Sequence, residues 1–214
     1  MEILINWLKQ GFKIVFVLLF IFTLSIFITV NSVWLYDFSI HWLNLSTKTN
    51  LSSFDLMRTY KSLVSYLQIP WQRHLNLIYF RSSLKGLIHF KDVKRLILVN
   101  NLILFLSGVW SFWYLRTLKV KRQLWALITP LKMVATFLLI LLVTVAINFQ
   151  AAFVVFHRLL FRNYDWIFNA RSDPVILAFP NSYFLECFIL VWVIWMFSIA
   201  LIVVWAVHFD FHYS

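Results

Sequence analysis

Residues 133–156 read Met133-Val-Ala-Thr-Phe-Leu-Leu-Ile-Leu-Leu-Val-Thr-Val-Ala-Ile-Asn148-Phe-Gln150-Ala-Ala-Phe-Val-Val-Phe156. As a helix rising 1.5 Å per residue, a run of this length covers roughly 36 Å, enough to cross a hydrocarbon layer of about 30 Å. No alternation of apolar and polar residues marks it as a strand, and in lipid only a helix satisfies every backbone group within one segment. Three further runs share this character: Phe12–Leu35, Leu96–Leu115 and Tyr183–Val207. None of the four contains a proline or a midspan charge. The expected fold is an all-α integral membrane protein with four transmembrane helices. The first and third loops are expected to form a small extracellular cap.

Composition agrees. Of 214 residues, 62% are apolar and 20% aromatic, only 13% are charged, and there are three glycines. Mean hydropathy is +0.82. A soluble domain carries about 25% charged residues, so lipid must be part of this chain's solvent. The formal charge of +11 would suggest nucleic acid in a soluble protein. Here the basic residues flank apolar spans and no nucleic-acid motif accompanies them, so membrane phospholipids are the expected partners and nucleic acid is not. A single cysteine, Cys187, excludes an internal disulfide and a cysteine-based metal cluster. Neither metal nor cofactor is expected. The apolar run from Ile14 to Tyr36 is too long for a signal-peptide core and no small-x-small cleavage site follows it, so it reads as an uncleaved first span.

Orientation follows from basic residues near span ends. Arg116, Lys119, Lys121, Arg122 and Lys132 occupy one short loop without an acid, and Lys9 and Lys13 flank the first span on the same side. This places both termini and the loop in the cytoplasm. The chain then divides into residues 1–35 (N-terminus and first span), 36–95 (extracellular), 96–156 (second and third spans with the basic loop), 157–182 (extracellular) and 183–214 (fourth span and C-terminus). Within the first extracellular segment, Ser52-Ser-Phe-Asp55 resembles a helix capping box. Phe54, Met57, Tyr60, Val64 and Leu67 then recur at helical spacing until Pro70. This pattern suits an amphipathic helix on the membrane surface or one packed beneath its own loop.

Polar residues in the spans gather toward the outer ends: Asn100, Asn101, Asn148, Gln150, Glu186 and Cys187. The inner halves are almost purely apolar. A transporter needs a polar midplane site, so this pattern points instead to a site at the outer membrane–water boundary. Interhelical hydrogen bonding also accounts for the asparagines. Two histidines fall at that boundary. His89 precedes the second span, with Asp92 three residues on, on the same helical face, where a carboxylate can orient an imidazole. His157 ends the third span, where a histidine also complements the helix dipole. The topology brings the two to one face at one depth. His208 and His212 lie four apart near the C-terminus and read as interfacial; His41 and His74 stand alone in loops. Asn44-Leu-Ser46 and Asn50-Leu-Ser52 match the glycosylation acceptor pattern, which short sequences often meet by chance.

The segments His89-Phe-Lys91-Asp92-Val-Lys, Lys121-Arg-Gln-Leu-Trp125 and Phe156-His157-x3-Phe161-x-Asn163-x-Asp165-Trp166 together resemble the lipoprotein intramolecular transacylase family (Lit) of low-GC Gram-positive bacteria. The likeness covers nearly the whole chain, with the motifs in order. It departs at Asn169-Ala170, where the family pattern has an acidic residue followed by proline. The resemblance implies an acyltransferase of the bacterial cytoplasmic membrane, with its active site at the extracellular face. Such an enzyme moves the sn-2 acyl chain of a diacylglyceryl-modified lipoprotein to the α-amino group of the lipid-bearing cysteine, leaving a lyso-form lipoprotein. The family's two important histidines carry over to His89 and His157. Asp92, Asn163, Asp165 and Trp166 are expected to orient or shape the pocket, and Arg158, Arg162 and Lys91 to meet lipid or substrate headgroups. The chemistry is consistent: an amine must be deprotonated before attacking an ester, and imidazole is suited to take that proton. The sequence offers no Gly-x-Ser-x-Gly elbow and no basic neighbour for Cys187, hence no evident covalent nucleophile. Against the enzyme stand a non-enzymatic binding or sensory module at the outer face, and a transporter.

Overall fold

The computed structural model describes residues 2–213, with side chains described for residues 11–209; those of Lys9 and His212 lie outside that range. Among the described residues every regular element is helical: α1 (Glu2–Val30), α2 (Val33–Trp42), α3 (Leu45–Thr49), α4 (Ser53–Gln68), α5 (Leu84–Val120), a 3-10 turn (Leu124–Leu127), α6 (Ile128–Ile147), α7 (Phe149–Leu160), α8 (Val175–Ala178) and α9 (Asn181–Tyr213). Among the described residues four helical stretches are long and apolar enough to cross a membrane: Gly11–Val30, Leu84–Val120, Leu124–Ile147 and Asn181–Phe209. The four expected spans are present, with altered ends. The first stops at Val30 rather than Leu35, because Asn31 turns its side chain back to the Phe27 carbonyl at 2.7 Å and Ser32 bonds the Ile28 carbonyl at 2.7 Å. The third, expected to be continuous to Phe156, breaks at Asn148. There φ is −143° and ψ 74°, and the side-chain oxygen accepts the Ala151 N–H at 3.0 Å, starting a new helix, α7.

The chain forms two compact units. The first comprises residues 1–26, 100–147 and 190–214 and holds most of each span. Its contacts suit packing in lipid, where small residues and ring faces replace a water-driven core. Ser25 and Ser107 are buried and return their hydroxyls to carbonyls one turn back. Phe16 packs on Trp110 and Phe22 on Trp195, each pair at 4.7 Å between ring centroids. Gly108 leaves room for the Phe20 ring, which a Cβ would meet at 3.1 Å. Asn100 donates across to the Thr23 carbonyl at 3.2 Å, so this polar span residue serves helix pairing.

The second unit, residues 27–99 and 148–189, has a true core. Tyr36 stacks on Tyr60 (4.6 Å) and Phe179 (5.1 Å) and meets Tyr183 edge-on (5.2 Å). Its hydroxyl donates to the Ala178 carbonyl and that of Tyr60 to the Val30 carbonyl, both at 3.1 Å, so neither buried phenol is left unpaired. Ser39 is bonded to Glu186, and Asn181 donates to Gln150 at 2.7 Å. Asn44 and Asn50 bracket α3 with φ of 52° and 56°, the left-handed conformation that asparagine tolerates better than other side chains. The capping box forms as the sequence predicts: Ser52 accepts the Asp55 N–H at 3.1 Å and donates to its carboxylate at 2.6 Å. The buried stripe of α4 is rotated from expectation. It runs through Leu56, Tyr60, Leu63, Tyr66 and Leu67, whereas Phe54 is 70% exposed.

Candidate active site

The site is assembled from the first turns of α5, the end of α7 and the loop that follows, all in the second unit. His89 and His157 come together with ring centroids 5.9 Å apart, and both are buried. Aromatic rings surround them. Phe161 lies edge-on to His89 at 4.9 Å and 5.6 Å from His157. Phe168 meets His89 edge-on at 5.4 Å, and Phe153 and Trp166 cover His157 at 4.0 and 4.9 Å. Phe153 and Phe161 stand one turn before and after His157. That spacing is a signal in the sequence for a shared face. Phe168, inside a loop, carries no such periodicity.

The two imidazoles have different partners. His157 Nδ1 lies 2.7 Å from the Phe153 carbonyl oxygen. A carbonyl only accepts, so Nδ1 carries the proton and the neutral ring presents a bare Nε2 lone pair. Burial lowers the His157 pKa below its ordinary value, and the Phe153 hydrogen bond only partly opposes this. His89 Nδ1 is buried with no hydrogen-bond partner among the described residues. A buried ring nitrogen without a partner loses solvation that nothing replaces, at a cost of about 1–3 kcal/mol.

Asp92 departs from the expected arrangement. Its carboxylate accepts from Arg95 at 3.2 Å and from Asn163 Nδ2 at 3.1 Å, and it does not occupy His89 Nδ1. The reason is local: Arg95 follows one turn later on the same helix, and the Asn163 amide reaches the other oxygen. Asn163 in turn receives the Asp165 N–H on its side-chain oxygen at 3.1 Å, and its carbonyl takes the Trp166 indole N–H at 3.0 Å. Asp92, Asn163, Asp165 and Trp166 thus form a chain from α5 to the ring that covers His157. Lys91, Arg158 and Arg162 are exposed near these residues in sequence.

Nothing in the sequence marks Asp173 or Gly86 as partners. Asp173 is 3% exposed and accepts the Ser83 N–H at 2.7 Å and the Ser172 hydroxyl at 2.6 Å. Burial alone would raise its carboxyl pKa, but the hydrogen bonds from Ser172 and Ser83 outweigh it and hold the pKa below the usual carboxylate value. The carboxylate sits where α5 begins, and a Cβ on Gly86 would lie 2.4 Å from Asp173 Oδ1. Ser83 Oγ also accepts the Gly86 N–H at 3.1 Å. The turn before Asp173 is built on Asn169, whose carbonyl accepts from Ser172 and Asp173 and whose side chain accepts the Arg171 N–H. The Asn169-Ala170 departure therefore still supports a closed turn.

Comparison with known proteins adds the family. The family model for the lipoprotein intramolecular transacylase Lit matches residues 12–184. The solved structure of the membrane-integral Lit from Bacillus cereus is 26% identical and superposes with a TM-score of 0.90, covering 96% of this chain and 95% of that one. Two structures of the same protein with one histidine substituted share the fold at 24% identity. The histidine-to-arginine form gives a TM-score of 0.81 over 97% of this chain and 95% of that one. The histidine-to-alanine form gives 0.82 over 98% and 97%. The comparison with curated proteins gives no match. With the family model spanning most of the sequence and the fold reproduced throughout, the chain belongs to the lipoprotein intramolecular transacylase family, as a membrane-integral acyltransferase rather than a non-enzymatic binding module.

Proposed function

We propose that the histidine pair performs the transfer directly, moving the sn-2 acyl chain of a diacylglyceryl-modified lipoprotein onto the α-amino group of the same cysteine. The observation that carries this is the pairing itself: two imidazoles 5.9 Å apart in one aromatic cage, with different hydrogen-bonding states. His157, its Nδ1 proton held by the Phe153 carbonyl, is the base. Its Nε2 takes a proton from the amine as the nitrogen attacks the sn-2 carbonyl, and returns it to the glycerol oxygen as the ester C–O bond breaks. An amide forms, an ester is lost and a free hydroxyl remains, so no co-reactant is required. His89 faces the same space as a neutral imidazole, and its ring N–H stabilises the oxyanion of the tetrahedral intermediate.

Amine and ester belong to one molecule. Holding them in register supplies much of the acceleration without an acyl-enzyme, up to about 7–11 kcal/mol in ideal intramolecular cases. The aromatic cage keeps water from the ester. Asp92 acts as a positioning residue through Asn163 and Trp166, and Arg158, Arg162 and Lys91 meet the headgroup region. Residues 36–95 and 157–182 form a cap on the extracellular face, with both termini in the cytoplasm. Purified protein given a lipopeptide with different sn-1 and sn-2 chains tests the transfer. Mass spectrometry should find only the sn-2 chain on nitrogen, in molecules that have lost it from glycerol. Appearance of the sn-1 chain, or of a chain from a second lipopeptide, contradicts the proposal.

A further inference from the structure

The first unit carries a groove of about 600 Å³ that shares no residue with the transfer site. Phe105, Val109, Trp110 and Trp113 of α5 form its apolar length, and Lys13 and Lys121 line it as well. The volume falls within the range of single-ligand sites, about 300–1,000 Å³. Its charge distribution is one-sided. Lys121 follows α5 directly, Lys13 Nζ lies 6.0 Å from the Tyr114 ring centroid, and no acidic residue occurs from Arg116 to Lys132.

Its dimensions suit one class of ligand. Along a helix rising 1.5 Å per residue, Phe105 and Leu118, the first and last groove residues of α5, are separated by about 20 Å. The hydrocarbon of one leaflet is about 15 Å deep. The groove therefore follows a leaflet from near the bilayer centre to the headgroup level, and its lysines lie at the headgroup end. Each lysine is exposed at the end of a flexible stem, able to approach a phosphate. A zwitterionic headgroup would bring its own cation against them, whereas an anionic one would not. We infer that this groove holds one anionic phospholipid, with its phosphate between Lys13 and Lys121 and an acyl chain along Phe105, Val109 and Trp113.

Delipidated protein in neutral detergent provides the test, with thermal unfolding followed during addition of phosphatidylglycerol, of phosphatidylcholine with the same chains, or of glycerol 3-phosphate. Phosphatidylglycerol should raise the melting temperature at several-fold lower concentration than phosphatidylcholine, and glycerol 3-phosphate should have no effect. In the doubly substituted Lys13→Gln/Lys121→Gln protein the two lipids should become equivalent, while acyl transfer in detergent stays at the parent level. Val109→Trp, which fills the trough and keeps the lysines, should also abolish the preference. Equal stabilisation of the parent protein by both lipids would overturn the inference, as would a preference that survives the lysine substitutions. A shift with glycerol 3-phosphate matching that of the lipid would replace the lipid with a free phosphate ligand.

Discussion

In the proposed mechanism His157 is the base, and two features suit it to that role: the Phe153 carbonyl fixes its tautomer, and burial disfavours its charged form. The pH dependence follows from the sign of that shift. A lowered imidazole pKa keeps Nε2 available below the ordinary value of about 6.5, while an α-amino group loses its proton only near pH 8. From pH 8 down to about 6.5 the transfer rate should therefore fall, approaching tenfold per unit below about pH 7, from amine protonation alone. It should steepen only below 6.5, where His157 also protonates. Initial rates from pH 5 to 9 check this, and steepening above pH 7 contradicts it. Asp173 gives a second prediction. Its folded pKa is lowered, so its contribution to stability is present above the unfolded carboxylate pKa and lost as pH falls through the folded one. Asp173→Asn should lower the melting temperature at pH 7 and reduce its loss at acid pH. Gly86→Ala pushes a methyl toward Asp173 Oδ1 and should cost about 1–3 kcal/mol, as overpacking does, seen in the same melts.

At the scale of elements, the spans were legible because runs of apolar residues state their own length. Their ends were less so. Asn148 looked like a polar residue within one continuous helix, and nothing in composition says that its side chain will cap Ala151 and start α7 afresh. The α4 cap was legible because Ser52 and Asp55 bond to one another within four residues. Its buried face is not legible, since two apolar stripes overlap at Tyr60 and Leu67 and only tertiary packing chooses between them. The histidine pair was legible from topology. Phe168, Asp173 and Gly86 were not, because their partners lie far away in sequence: Asp173 and Ser83 are 90 residues apart. Replacing Asn148 with alanine removes the cap and should cost about 1 kcal/mol. Because α7 carries His157, it should also slow acyl transfer more than it changes substrate KM. A variant with parent kcat and a raised KM would contradict that coupling of helix start to catalytic geometry.

For the whole molecule, the proposed orientation, read from the basic loop beside two spans, assigns opposite sides of the membrane to Lys121 and to the transfer site. Cysteine introduced at Tyr164, which is 69% exposed, should react with a membrane-impermeant maleimide in intact cells. Cysteine at Lys121 should react only after permeabilisation, and the reverse pattern would invert the topology. In the proposed mechanism the transfer depends on both histidines. The most direct measurement is mass spectrometry of lipoprotein N-termini in cells producing the parent protein, His89→Ala or His157→Ala, with membrane levels of the three matched. The parent should convert diacylglyceryl lipoproteins to the N-acylated lyso-form, and each substitution should reduce conversion by about 10²–10⁴-fold, the span of general acid–base contributions. Full conversion by either variant would contradict the paired-histidine mechanism.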